Sequence, residues 1–226
     1  MQPFQYMLSF LRLSTCLALL LNVSRLHAQR TLPATYSGTA PINYVRSWDV
    51  VKPTTNAAEL TTTTPITTAK MTTQYLDGLG RPIQTVVKQG SLVTGPSNTA
   101  VDMIDMTEYD AFGREVHKYL PTPASGTGNN NGLFKLNPFA QQQSFYNTYL
   151  NGQTGETPGN TTNWAYSKTN FEASPLNRPL EGYAPGVSWV GSESTTKKSV
   201  KSSYWINTAT DAVRIWTVTD GSTGAF

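Results

Sequence analysis

The residues of this chain that could do chemistry are mostly carboxylates. Five acids lie close together in sequence: Asp102, Asp105, Glu108, Asp110 and Glu115. Carboxylates can bind Ca²⁺, and two of them held across a cleft can hydrolyse a glycosidic bond. The five acids lack the glycine-punctuated spacing of a calcium loop, and strand alternation would place several of them on one wet face. A solvated strand face is therefore the favoured interpretation, with a carboxylate enzyme as an alternative.

Histidine and cysteine offer little further chemistry. Cys16 lies in the N-terminal leader described below, and His117 is the only histidine beyond that leader. A zinc site or a catalytic triad needs several such partners. We therefore expect His117 to be a structural strand residue, and we expect no catalytic residue, no cofactor and no metal site.

One short phrase that combines an acid with an arginine occurs twice. "YLDGLGRPIQTVV" (75–87) and "YDAFGREVHKYL" (109–120) each place an Asp three residues before a Gly-Arg pair. Asp at the first position of a β-turn accepts a hydrogen bond from the backbone two residues on, and Gly at the fourth takes a left-handed conformation. Each phrase thus predicts a strand-turn-strand unit. The predicted turn residues are Asp77, Gly80, Arg81, Asp110, Gly113 and Arg114.

Two looser copies are predicted to extend this pattern, and the first is "FEASPLNRPLEGYAPG" (171–186). Here Asn177 can replace Gly at the left-handed position, Arg178 follows it, and Ser174 stands where the acid would be. A fourth strand pair is predicted over 204–218, around an "NTATD" turn. Since one such unit cannot bury a face alone, it needs neighbours, and we expect Arg81 and Arg114 to pair with carboxylates of adjacent units.

The remaining patterns predict a mainly β protein with one short helix. "NYVRSWDVV" (43–51) is a strand candidate, and the threonine-rich stretch 61–75 is interpreted as a strand with a polar face rather than as a glycosylated stalk. Asn137 and Pro138 predict the start of a helix near 138–151, and Gly152 predicts its end. The predicted fold is an antiparallel arrangement of hairpin units in a twisted sheet.

The N-terminus has the layout of a secretory signal peptide. Arg12 precedes a short apolar run, Leu13 to Val23, and a polar exit follows. A lipoprotein signal ending at Cys16 is the alternative, but the apolar run continues past that cysteine. We predict a signal peptide over 1–29, an extended segment over 30–42 and a β-rich domain over 43–226. The protein is therefore expected in the periplasm, at the cell surface or outside the cell, with no transmembrane segment.

Charge argues against a nucleic-acid partner. The leader carries two of the 17 basic residues and none of the 14 acids, so the remainder of the chain has a net charge of only +1. No basic stripe is present, whereas a protein that binds nucleic acid usually shows one. Only 14% of the residues are charged, which is low for a globular protein.

The phrases together resemble the YD repeats of large bacterial RHS-type proteins. The order of "DGLGRP", "YDAFGRE", "LNPFAQQQSFYN" and "NFEASPLNRPLEGYAPG" is similar to that in a domain of unknown function at the start of many exported YD-repeat proteins. The resemblance covers about 43–218. It implies an all-β segment, part of a hollow β-shell, followed in the same polypeptide by a YD-repeat and RHS core as its partner, often with a toxin-like tail. It also implies that the chain is an N-terminal fragment, truncated at its C-terminus.

Aromatic residues leave a second function open. Five tryptophans and eleven tyrosines could pack between strands or could form a surface on which sugars stack. Core packing is the favoured interpretation. The expected function is thus a non-enzymatic structural segment, with a carbohydrate-binding module that uses exposed Trp and Tyr as the alternative and a glycoside hydrolase as a third hypothesis. The tryptophans are Trp48, Trp164, Trp189, Trp205 and Trp216.

Overall fold

A computed structural model describes residues 32–39, 41–92, 100–149, 164–193 and 196–214. The predicted signal peptide, Gly152 and Trp216 lie outside these ranges. Within them the protein is mainly β, with antiparallel sheets and one short α-helix, which confirms the predicted fold class at that level. No helix in these ranges is both long and apolar enough to cross a bilayer.

The first sheet has five antiparallel strands, with the order β1-β2-β3-β4-β6. Its strands are β1 (Asn43–Val50), β2 (Ala69–Leu76), β3 (Pro82–Leu92), β4 (Ala100–Met106) and β6 (Thr122–Pro123). Every second residue of β2 is buried, because successive side chains point to opposite faces of a sheet. The strand prediction for the threonine-rich stretch thus holds for β2, whereas residues 61–68 form turns.

The second sheet has four strands, with the order β5-β7-β8-β9, and all its pairs are antiparallel. Its strands are β5 (His117–Tyr119), β7 (Tyr166–Phe171), β8 (Pro179–Tyr183) and β9 (Val200–Lys201). Short 3₁₀ helices occupy Ala57–Glu59, Val190–Ser192 and Ala209–Asp211. An isolated bridge between Thr107 and Lys118 joins the ends of the two sheets.

The helix α1 spans Pro138–Tyr149, in agreement with the helix predicted near 138–151. Proline suits its first position because the missing N–H has no helical partner there. Phe139 and Gln142 are buried on its inner side. Phe139 belongs to a hydrophobic core to which both sheets contribute, together with Ile104, Met106, Tyr119, Ala124, Tyr166, Tyr183 and Val190.

The strand pair predicted over 204–218 does not form in the part of it that the structure describes. Residues 202–208 have no regular structure, and a 3₁₀ helix follows. Thr208 and Asp211 cap that helix reciprocally, so the "NTATD" stretch closes a 3₁₀ turn in place of a hairpin turn. The prediction of a fourth strand pair is therefore wrong for residues 204–214.

Candidate functional site

The turn between β2 and β3 is closed by one aspartate and one arginine. The Oδ1 atom of Asp77 accepts hydrogen bonds from the backbone N–H groups of Leu79 and Arg81, both at 2.9 Å. Its Oδ2 atom accepts from Nε of Arg81 at 2.8 Å and lies 2.7 Å from Nη2 of the same guanidinium. The backbone N–H of Gly80 donates to the Asp77 carbonyl at 3.0 Å. The hydrogen bonds of the carboxylate thus add to the backbone hydrogen bond that closes this tight turn.

The turn between β4 and β5 repeats this hydrogen bonding atom for atom. Asp110 accepts from the N–H groups of Phe112 and Arg114 at 2.9 Å, and from Nε of Arg114 at 2.8 Å. The N–H of Gly113 donates to the Asp110 carbonyl at 2.9 Å. Gly80 and Gly113 both have φ of +77°, a region that an L-residue with a Cβ enters only with strain.

The turn between β7 and β8 reaches the same result with a longer acid. The Oε2 atom of Glu172 accepts from Nε of Arg178 at 2.9 Å, and its Oε1 atom accepts from the hydroxyl of Ser174 at 2.6 Å. That hydroxyl in turn accepts from the N–H of Leu176 at 3.2 Å. Asn177 takes the left-handed position, with φ of +52°. The sequence pattern assigns the role of the acid to Ser174 and misses Glu172. The signal that identifies Glu172 is an acid two residues before Ser174 whose side chain is one methylene longer than that of Asp.

The arginine of the first turn stacks on an aromatic ring of the second. The guanidinium carbon of Arg81 lies 4.3 Å from the ring centroid of Tyr109, the residue directly before Asp110. The hydroxyl of Tyr109 donates back to the carbonyl of Pro82 at 3.0 Å. A guanidinium in this position is attracted by the negative face of the ring. The contact between Arg81 and Tyr109 therefore joins the two turns.

The arginine of the second turn makes the equivalent contact to the third. The guanidinium carbon of Arg114 lies 4.8 Å from the centroid of Phe171, the residue directly before Glu172. Its Nη1 atom also donates to Oδ1 of Asn177 at 3.1 Å. The expected pairing of Arg81 and Arg114 with acids of adjacent units is therefore wrong, because each pairs with the acid of its own turn and contacts a ring of the next.

The arginine of the third turn continues the series. The guanidinium carbon of Arg178 lies 4.6 Å from the centroid of Tyr204, which precedes Trp205 and Ile206. We call these three turns, their arginines and the three rings Tyr109, Phe171 and Tyr204 the arginine array. The array runs from the first sheet to the residues that follow β9.

Hydrogen bonding within the array lowers the pKa of its acids. The backbone N–H of Arg81 is the main cause for Asp77, and that of Arg114 is the main cause for Asp110. The guanidinium of Arg178, followed by the hydroxyl of Ser174, lowers the pKa of Glu172 from 4.5 to about 2. Each acid is thus held in its charged form, because that form is the one that accepts these bonds.

The lowered pKa of Glu172 predicts a loss of stability in acid. A group whose folded pKa is depressed adds stability above its unfolded pKa, here 4.5, and loses that contribution as the pH falls toward about 2. We expect the melting temperature of the wild-type protein to exceed that of Glu172→Gln above pH 4.5, and the difference to shrink toward zero near pH 2. Melting curves across this pH range measure it.

Glu59→Gln is the matched control for that series, since Glu59 is exposed and lies outside the array. It should follow the wild-type curve at every pH. A constant difference between wild type and Glu172→Gln down to the lowest pH would contradict the role given to the Glu172–Arg178 pair.

The two left-handed glycines provide a second prediction. Ala at position 80 would meet no atom within 4 Å, whereas a Cβ at position 113 would lie 2.8 Å from Nη1 of Arg81. We expect Gly80→Ala to lower the free energy of unfolding by about 1–2 kcal/mol through backbone strain alone. Gly113→Ala should cost about 0.5–1 kcal/mol more, because it displaces Arg81 from Tyr109. Equal costs in urea unfolding would show that this stack contributes nothing.

A second polar cluster lies inside the fold, around Asp102 on β4. Asp102 is 0% exposed, and its Oδ2 atom accepts from Nζ of Lys135 and from the N–H of Gly132, both at 2.7 Å. Nζ of Lys135 also donates to the carbonyl of Gly128 at 2.6 Å and to Oδ1 of Asn131 at 2.9 Å. This cluster fastens the loop 124–137 to the first sheet. The expectation that Asp102 lies on a solvated face is wrong.

The remaining acids of that group lie nearer the surface. Asp105 and Glu115 are exposed, and partial desolvation raises the pKa of both above their usual values. His117 is on β5, with its ring edge-to-face against Tyr166 and Nδ1 3.6 Å from a carboxylate oxygen of Glu108. Within the described ranges, no three His, Cys, Asp or Glu side chains come together as a set of metal ligands.

Sheets and turns together define a mainly antiparallel β protein in which acid–arginine turns recur along the chain. Residues 46–202 match a family described as "Domain of unknown function (DUF6443)", and the chain belongs to that family. No curated protein and no solved structure matches the chain.

Proposed function

We propose that this chain is a non-enzymatic, exported structural segment, the N-terminal β region of an RHS/YD-repeat surface or toxin-delivery protein. Its partner is the YD-repeat and RHS core that follows in the same polypeptide. The arginine array carries this proposal. In each turn of the array the acid pairs with the arginine and closes the turn. The same arginine contacts an aromatic ring further along the chain, so each strand-turn-strand unit offers a contact to the unit that follows it.

The last contact of the array, between Arg178 and Tyr204, supports a role for this chain as the first part of a longer series of strand-turn-strand units. Tyr204 receives Arg178 in the way that Tyr109 and Phe171 receive the earlier arginines. The next two residues, Trp205 and Ile206, are each 88% exposed. Adjacent large apolar side chains that face solvent are a liability unless a neighbour covers them. A further strand-turn-strand unit beside β9 would bury them and continue the array.

Extension of the chain tests this role. We expect a polypeptide that continues through its next natural units to show slower amide hydrogen exchange over residues 200–208 and a higher melting temperature than the 226-residue chain alone. The chain alone should aggregate or melt early, because its sheet edges are open. A flexible Gly-Ser extension of equal length is the control and should change neither quantity. A sharp, reversible, high-temperature transition of the chain alone, unchanged by the natural extension, would contradict the proposal.

Absence of catalysis is part of the same proposal. Asp102 cannot be a free catalytic acid, since both its oxygens are occupied and it is buried beside Lys135. Asp105 and Glu115 are the exposed acids with raised pKa values. We expect no hydrolysis of a panel of glycans by the purified protein. Turnover that disappears in Asp105→Asn or Glu115→Gln would replace the structural proposal with an enzymatic one.

A further inference from the structure

A cleft lies between α1 and the start of the loop 124–137. Its volume is about 540 Å³, within the range of sites that bind small molecules. One side is formed by α1, which contributes Gln141, Ser144, Phe145 and Tyr149, and the other side is formed by residues 123–126 and 129. The cleft is separate from the arginine array, since no residue of the array lines it.

Aromatic rings form one wall of this cleft. The rings of Phe145 and Tyr149 have their centroids 5.0 Å apart and are inclined at 42°. Tyr149 is 59% exposed although it is held against Phe145, so a ligand can reach its ring. Tyr146, which follows Phe145 on the helix, donates its hydroxyl to the Pro121 carbonyl at 2.7 Å. This hydrogen bond fixes that turn of α1 against the β5–β6 connection.

Uncharged polar groups line the cleft beside these rings. Oε1 of Gln141 accepts from the N–H of Ser125 at 2.9 Å, so the amide is held in place. Its Nε2 atom and the hydroxyls of Ser125 and Ser144 have no hydrogen-bond partner among the described residues. The hydroxyl of Thr148 donates to the carbonyl of Ser144 at 2.8 Å and keeps its lone pairs. Donors and acceptors for a ligand are thus available beside the rings.

The charge of the cleft narrows the class of ligand. No Asp, Glu, Lys, Arg or His is among the described residues that line it. Burial of an ion without a partner is costly, so an anionic or cationic ligand does not fit. A pyranose ring has an apolar C–H face and a perimeter of hydroxyls, which match an aromatic wall and an amide and hydroxyl rim.

We propose that this cleft binds a neutral glycan, with a sugar ring packed against Tyr149 and its hydroxyls bonded to Gln141 and Ser144. This assignment goes beyond a structural role and gives the segment a binding activity of its own. It also differs from a site at exposed tryptophan, because Trp205 is 88% exposed and does not line this cleft.

Calorimetric titration of the full chain with neutral tetrasaccharides of glucose, galactose, mannose and N-acetylglucosamine tests the site. We expect at least one of them to bind with a Kd of about 1 mM or tighter. Tyr149→Ala and Gln141→Ala should each weaken that binding about tenfold or more, a loss of one or more pairwise contacts. Trp205→Ala, which removes a more exposed ring that does not line the cleft, should leave it unchanged.

Three results would overturn the assignment: no binding of any of the four sugars up to about 10 mM, tighter binding of an acidic tetragalacturonate, or binding lost in Trp205→Ala and retained in Tyr149→Ala. Tyr149 is an exposed residue of the last turn of α1, so its truncation should leave the melting temperature unchanged. Gln141→Ala gives an independent result if it does not.

Discussion

Replacing Asp102 with alanine is expected to lower the free energy of unfolding by about 3–5 kcal/mol, because removal of one partner of a buried ion pair leaves the other charge uncompensated. In this protein the orphan would be the ammonium of Lys135, whose side chain is only 7% exposed. The backbone N–H groups of Gln89 and Gly132 would also lose their acceptor. Urea unfolding at neutral pH, followed by tryptophan fluorescence, measures the change.

A double-mutant cycle identifies the cause of that loss. Lys135→Met alone should also be strongly destabilising, whereas Asp102→Ala with Lys135→Met should cost less than the sum of the two, since neither charge remains. Asp105→Ala is the matched control on the same strand, with an exposed acid, and should stay within about 0.5 kcal/mol of wild type. Additive costs in the cycle would contradict the pairing of Asp102 with Lys135.

Replacing Gln84 with leucine should be almost as damaging. The amide of Gln84 is buried on β3, where its Nε2 atom donates to the Lys135 carbonyl at 3.0 Å and its Oε1 atom accepts from the Lys135 N–H at 2.7 Å. Leucine has a similar size but leaves both backbone groups buried without a partner. Each such orphan costs about 1–3 kcal/mol, so the two together should lower the free energy of unfolding by about 2–6 kcal/mol.

Gln74→Leu is the control for that substitution. Gln74 lies on the neighbouring strand β2 with its side chain exposed, so its replacement should change the unfolding free energy by no more than about 0.5 kcal/mol. Equal effects at positions 74 and 84 would show that the loop 124–137 is not held by Gln84. Because Gln84 and Asp102 hold the same loop through Lys135, their combined loss should be smaller than the sum of the two single losses.

Local patterns predicted much of this fold. β-branched threonines indicate the strand that contains β2, and an asparagine and a proline indicate the start of α1, since these signals depend only on neighbouring residues. The acid–arginine phrase is local too, because Asp77 bonds within its own five-residue turn. Long-range partners carry no such signal. Asp102 resembles its neighbouring acids in sequence, whereas its buried partners Lys135 and Gly132 lie 33 and 30 residues away.

The arginine array was also beyond the reach of sequence patterns. Its three stacks join Arg81 to Tyr109, Arg114 to Phe171 and Arg178 to Tyr204, so the separations along the chain differ and no fixed period reveals them. An arginine near several acids in the sequence is first interpreted as an ion-pair partner. The sequence shows the charge of each residue, but it does not show how an aromatic ring is oriented in the fold. The third turn hides its acid further, since Glu172 replaces Asp at a different spacing.

The array itself is tested most directly by a double-mutant cycle between Arg114 and Phe171. Phe171→Leu keeps an apolar side chain but removes the ring, and Arg114→Ala removes the guanidinium, so the coupling free energy isolates their contact. We expect a coupling of about 0.5–2 kcal/mol, the range of a cation–π contact that is partly shielded from water. A coupling below about 0.3 kcal/mol, within the additivity of independent sites, would contradict a series of turns joined by their arginines.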